Sequence, residues 1–260
     1  MFQPVLPIQG YGGWQFLQRT LDQQRDTFQE TPVVKRLTEA FEEKIGTVLT
    51  AGQLVEDRDL LQVALGAFGL DEDIGNTFFI RRILEDGTLD PAALSNRLSD
   101  VRYRNFADAF GFGANQIPKT IEPDFASDII EQYQARQFER AVGDQNDDFR
   151  LSLNVEPAIA EILKRSNDID AQWFSVMGTP PLRKVFEVAF GLPSSFAQID
   201  LDQQLEVLKD RSRSLFGDTN LASISQKEQT EKLIRLFLLR SEAEAAVLPQ
   251  GQIALSLLQS

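Results

Sequence analysis

The feature that most constrains this chain is one phrase that occurs three times. Asp59-Leu60-Leu61-Gln62-Val63-Ala64-Leu65-Gly66-Ala67-Phe68-Gly69-Leu70 reads as a buried helix that stops at a glycine. Leu182-Arg183-Lys184-Val185-Phe186-Glu187-Val188-Ala189-Phe190-Gly191-Leu192-Pro193 repeats it. Asn105-Phe106-Ala107-Asp108-Ala109-Phe110-Gly111-Phe112 is a shorter form. Glycine reaches the left-handed conformation that closes a helix, and the following apolar residue then folds back on the last turn. The phrase predicts positive φ at Gly69 and Gly191, and a chain organised around it is all-α.

Shifting the first half by 122 residues puts Leu60 on Leu182, Val63 on Val185, Ala67 on Ala189, Phe68 on Phe190, Gly69 on Gly191 and Leu70 on Leu192. The same shift puts Val33 on Val155, Leu37 on Ile159 and Phe41 on Leu163. Two related helical units are one explanation. The other is that Ala-Phe-Gly recurs because helices end this way. Under either, the motif is structural.

Reading in order, Pro4, Pro7, Gly10, Gly12 and Gly13 make the first residues an irregular arm, with a helix from about Trp14. Thr31-Pro32 is a start signal, with Thr31 as N-cap and Pro32 at the first helical position, and Thr179-Pro180 opens the second copy of the central helix. Val33, Leu37, Ala40, Phe41 and Ile45 follow the first at helical spacing. Asp57 caps the central helix; Ile74, Phe78, Phe79, Ile83 and Leu84 describe the next, ending by Gly87. Asp90-Pro91 predicts another start. Asn115 to Asp124, with Pro118 and Pro123, lacks periodicity and reads as a connector. Pro157 is a start or kink, Asp200 a cap, and Gly217 a stop. Glu228/Lys232 and Glu231/Arg235 are spaced as i,i+4 pairs, and Pro249 with Gly251 predicts a break before the tail. No alternating segments predict strands. The expected organisation is about ten helices, with an arm and helix at 1–29, a first unit at 30–114, a connector and second unit at 115–217, and a helix with an apolar tail at 218–260.

Composition narrows function. The chain has no Cys and no His, which removes disulfides, thiolate or imidazole zinc sites and His-dependent nucleophile systems. Its 260 residues carry a net charge of −13, and Lys and Arg never run longer than two, so nucleic acid is a poor partner. No apolar run approaches the ~18 residues of a membrane span. Met1-Phe2-Gln3-Pro4-Val5-Leu6-Pro7 lacks the pattern of a secretory signal, which makes the cytoplasm the expected compartment and leaves a leaderless export route open.

Catalytic and metal motifs are weak. No Gly-Lys pair exists for a phosphate loop, and Gly111-Phe112-Gly113 is followed by Gln116 where a dinucleotide fingerprint needs a third glycine. Asp144, Asn146 and Asp148 resemble the start of a calcium loop, but Phe149 stands at its sixth position and Val155 at its twelfth. Asp168/Asp170 and Asp200/Asp202 could hold a divalent metal or act as acid and base; helix capping explains them better. The predicted cofactor is none, and the predicted metal is none. Leu233, Ile234, Leu236, Phe237, Leu238 and Leu239 cover more of a helix than one buried stripe needs, and no charged residue follows Glu244. Leu233, Phe237, Ile253, Leu255, Leu257 and Leu258 are therefore the candidate partner-binding residues.

Gly13-Trp14 with Leu17, Asp57-Arg58-Asp59-Leu60-Leu61, Ala67-Phe68-Gly69-Leu70, Asp100 with Arg102-Tyr103, Pro181-Leu182-Arg183 and Gly191-Leu192-Pro193 resemble, in order and spacing, an alphaproteobacterial family of unknown function. Its members are typically encoded among flagellar genes. The resemblance implies an all-helical fold, a role connected with the flagellum and no known catalytic residues. Together these readings predict a non-enzymatic factor that binds a protein, a flagellar component, in assembly or regulation. The competing expectations are a metal-dependent hydrolase using the Asp pairs and an exported structural subunit of the flagellum.

Overall fold

The structure is a computed structural model, which describes the backbone of residues 2–98 and 100–258 and the side chains of 2–98 and 100–245. Among the described residues there are fourteen α-helices, four short 3-10 helices and no strand. The sequence predicts about ten helices; the excess comes from short pieces that periodicity cannot resolve.

Contacts divide the chain into two units. One comprises Met1–Pro4 and Leu21–Ala141; the other comprises Val5–Thr20 and Val142–Ser260. The division falls within two long helices, α1 (Gly10–Gln29) and α8 (Phe125–Gly143), rather than at the connector. The connector belongs to the first unit because it is pinned there. Buried Thr120 donates its hydroxyl to the Val48 carbonyl at 2.6 Å, and Phe125 packs edge-on against Phe110 at 5.2 Å.

The first unit holds α2 (Pro32–Lys44), α3 (Ala51–Glu56), α4 (Arg58–Ala67), α5 (Thr77–Asp86), α6 (Leu94–Arg97) and α7 (Val101–Phe110). Its core is built on Leu37, Phe41, Ile45, Ile80, Ile83, Phe106 and Phe110, with an aromatic ladder from Phe68 through Phe106 to Phe110. The second unit holds α9 (Asp147–Arg165), α10 (Ile169–Met177), α11 (Pro180–Phe190), α12 (Leu201–Phe216), α13 (Leu221–Ile224) and α14 (Lys227–Leu258). There Trp173, Phe186 and Phe190 stack edge to face, and the Trp173 indole donates to the Thr219 carbonyl at 2.8 Å.

The glycine stops form as the sequence predicts. Gly69, Gly111 and Gly191 have φ of 68°, 65° and 64°. Leu70 donates to the Leu65 carbonyl and Gly69 to that of Gly66; Leu192 and Gly191 make the same two bonds to Glu187 and Val188. This paired pattern satisfies the carbonyls left open at a helix end. Gly111 makes the simpler single bond, to Ala107.

Several local expectations fail for physical reasons. Thr31 and Thr179 precede helix-starting prolines, yet neither caps the helix in front of it. Each hydroxyl turns back and donates to a carbonyl of the preceding helix, Phe28 at 2.7 Å and Ser175 at 2.8 Å. On α2 the buried stripe is Val34, Leu37, Thr38 and Phe41, so Val33 points outward, which also spoils its match to buried Val155. Asp90-Pro91 opens a turn, not a long helix: Asp90 accepts from the Ala92 N–H at 2.8 Å. Lys232 donates to the Leu215 carbonyl and lies over the Phe216 ring, rather than serving an i,i+4 pair. Helix α14 runs through Pro249 and Gly251 to Leu258; the Ala- and Glu-rich turns before the proline are strong helix formers.

Candidate functional site

The residues that carry the family resemblance gather at helix ends. In the first unit Asp57 caps α4, accepting the N–H groups of Asp59 and Leu60 at 3.0 and 3.2 Å. Lys44 reaches its carboxylate at 3.0 Å, and Arg36 pairs with Asp59 at 2.5 Å. Burial works against ionising Asp57, but the Lys44 bond and the two N–H groups outweigh it and hold the carboxyl below its ordinary value. Asp100 caps α7 by accepting the Arg102 N–H at 3.0 Å, and takes the Arg102 guanidinium at 2.7 Å. That bond lowers the Asp100 pKa.

Arg102 also donates to the Gly69 carbonyl, and Tyr103 donates its hydroxyl to Asp73 at 2.7 Å. The stop of α4 is thereby tied to the start of α7. Burial, then the Asp73 bond, pushes the Tyr103 hydroxyl up to about 12. The second unit repeats the arrangement with other residues. Arg240 donates from Nη1 to the Ala189 carbonyl at 2.5 Å, beside Gly191. Arg183 links Glu187 at 2.6 Å to Gln204 at 2.8 Å, and Gln204 donates to the Ile199 carbonyl at 2.7 Å. The carboxylates of Asp57, Asp59, Asp73, Asp100 and Glu187 each have a partner in the fold, and the groups they serve are helix ends.

The acidic pairs are placed the same way. Asp168 caps α10 and accepts from the Ala171 N–H at 2.7 Å; Asp170 pairs with Lys209 at 3.0 Å. Asp200 caps α12, accepting from the Asp202 N–H at 2.9 Å. The calcium-like stretch is no loop, because α9 begins at Asp147 and Asn146 is its cap, accepting from Phe149 at 3.0 Å. Asp148 instead accepts the Ser241 hydroxyl. Among the described residues no group of three or more His, Cys, Asp or Glu is placed to hold a metal ion. Among them, too, no helix is long and apolar enough to cross a membrane.

The candidate partner-binding residues separate. Leu233 and Phe237 are fully buried in the core of the second unit, together with Ile234 and Leu238, so they are interior and not an available face. Leu239 faces outward. The side chains of Ile253, Leu255, Leu257 and Leu258 lie outside the described residues.

Three large apolar side chains stand furthest into solvent. Phe78 is 84% exposed, Ile117 76% and Leu89 67%. The spacing of Ile80, Ile83 and Leu84 already defines the buried stripe of α5, and Phe78 falls outside it. That register is the signal that could have found it.

A family model described as a protein of unknown function (DUF1217) matches residues 67–230. The chain belongs to this family. The match spans the stop of α4, the connector and all of α11, and so takes in Asp73, Asp100, Arg102 and Tyr103 of the first knot and Arg183, Glu187 and Gln204 of the second. The crystal structure of protein AGR_C_984 from Agrobacterium tumefaciens is similar at a TM-score of 0.72 and 25% identity, over 94% of this chain and 99% of that one. Among curated proteins, none matches.

Proposed function

We propose that this chain is a non-enzymatic factor that binds another protein, a flagellar component, in assembly or regulation of the flagellum. The observation that carries the binding reading is the contrast between its two classes of conspicuous residue. The polar residues of the motifs are spent on helix ends, while Phe78, Ile117 and Leu89 stand largely in solvent. A benzyl group left in water adds nothing to folding, whereas aromatic side chains are favoured anchors when a partner covers them. The flagellar part rests on the resemblance to proteins encoded among flagellar genes. In this reading the chain works in the cytoplasm.

A duplication is part of the proposal. Helices α4 and α11 lie at the 122-residue shift, both stop on the same pair of hydrogen bonds, and each is followed by a short 3-10 helix, Asp71–Gly75 and Ser194–Gln198. The match weakens ahead of those helices, where exposed Val33 falls on buried Val155 and buried Phe41 on half-buried Leu163.

Affinity capture from flagellated alphaproteobacterial cells tests the function. Wild type should enrich a flagellar protein that Phe78→Ser, or truncation after Pro249, fails to enrich at unchanged thermal stability. Equal enrichment from flagellated and aflagellate cells would overturn it.

A further inference from the structure

The arm is anchored by an aromatic plug. The Phe2 ring sits 5.3 Å from Phe28 on α1, edge to face, and 6.3 Å from Phe138 on α8. Phe28 and Phe138 are themselves 5.9 Å apart, so the three rings form one cluster. Pro4 is buried as well. The fit is incomplete on its polar side: the Arg25 guanidinium lies 5.9 Å from the centre of the Phe138 ring, yet its Nε is buried without a hydrogen-bond partner.

Directly after this anchor comes an irregular segment that bends at Ile8. Residues 5–9 contain no helix, and Val5 and Ile8 are exposed apolar side chains. Pro4 and Pro7 disfavour helical backbone at Gln3 and Leu6, the residues before them. Five extended residues reach roughly 17 Å, and the α1 helix only begins at Gly10.

We propose that the slot between Phe28 and Phe138 is a docking site for the Phe2 arm of a second copy of this chain, and that two copies pair by exchanging arms. The slot and its occupant are both on view in one chain, so the contacts formed between copies are those already formed within one. An exchange of identical elements preserves those contacts and changes only the hinge, which is why it is a low-cost route to a dimer. Pro7 stiffens the hinge and keeps Leu6 out of helical backbone, so opening gives up no helix. The exposed Val5 and Ile8 are covered where two opened hinges run side by side. This inference stands independently of the flagellar reading.

The absence of cysteine permits a direct test on the full chain. A nitroxide is attached to Gln3→Cys, Gln3 being exposed, in unlabelled protein, which is mixed with isotope-labelled wild type. Exchange is read as paramagnetic broadening, in the labelled copy, of signals from Phe28, Phe138 and their neighbours. Light scattering across a concentration series should show monomer giving way to dimer. Adding Phe2→Ala to both copies should abolish dimer and broadening at unchanged circular dichroism. A chain that stays monomeric throughout, a dimer that survives Phe2→Ala, or broadening centred away from the slot overturns the proposal.

Discussion

Replacing Gly191 by alanine separates the two reasons a glycine can be required at a helix stop. Gly191 and Gly217 both end helices of the second unit with left-handed backbone, at φ of 64° and 81°. An alanine at either site carries left-handed strain of about 1–2 kcal/mol, partly offset by about 0.4–1 kcal/mol from a stiffer unfolded chain. Gly217 has nothing within 4 Å of an added Cβ, so Gly217→Ala should cost no more than about 1.6 kcal/mol. At Gly191 the added Cβ meets Arg240 Nη1 at 2.8 Å, the same atom that donates to the Ala189 carbonyl. Moving it loosens a charged hydrogen bond worth about 1.5–3 kcal/mol. Gly191→Ala should therefore cost about 2–4 kcal/mol in all. Urea unfolding read by tryptophan emission is the assay, because Trp14 and Trp173 both lie in the second unit. In an Arg240→Ala background the cost of Gly191→Ala should fall to that of Gly217→Ala. Equal costs at the two glycines, or a Gly191→Ala cost unchanged by Arg240→Ala, would refute the reasoning.

Acid should destabilise the fold selectively. Asp57, Asp100 and Asp147 are all held below the ordinary carboxyl value of 3.8, so their contribution is present above that pH and lost as pH falls below it through their folded values. With no histidine, urea midpoints should be flat between about pH 5 and 8. Tyr103 and Tyr133 are pushed up to about 12, chiefly by burial, so stability they favour is complete below pH 10 and lost as pH rises toward 12; ultraviolet titration should show two late-ionising tyrosines. Asp200→Ala should cost about 0.5–2 kcal/mol in thermal unfolding while Asp200→Asn, still a good cap, should be close to neutral. Truncation after Pro249 should leave the melting temperature unchanged, and a lost melt would show the tail to be part of the core.

What could be read from sequence was whatever is decided within one turn of chain. Gly69, Gly111 and Gly191 stop helices, and Asp57, Asp168 and Asp200 cap them, because the partner groups are backbone atoms a few residues away. What could not be read was whatever is decided by a neighbour distant in sequence. The Thr31 and Thr179 hydroxyls follow one helix and precede another, and instead of accepting an N–H of the second they donate to a carbonyl of the first. Phe78 was assigned to a stripe that Ile80 and Ile83 fill. Leu233 and Phe237 sit in a run so apolar that no face stands out, and only packing shows them to be interior. Arg102 and Arg240 share a task, bonding a carbonyl at the stops of α4 and α11, yet both lie outside the phrase that the sequence repeats. The candidate site was therefore less legible than the fold: its motif residues were visible, but their role as helix-end fastenings needed coordinates.

The central claim is that the motif residues maintain the fold while exposed apolar side chains meet a partner. The most direct measurement is quantitative capture of flagellar proteins by Phe78→Ser beside Asp100→Ala, each with its melting temperature. Phe78→Ser should melt as wild type does and lose the partner, whereas Asp100→Ala should melt lower and, below its melting point, still capture it. Loss of capture in Asp100→Ala at full foldedness, with capture intact in Phe78→Ser, would contradict it.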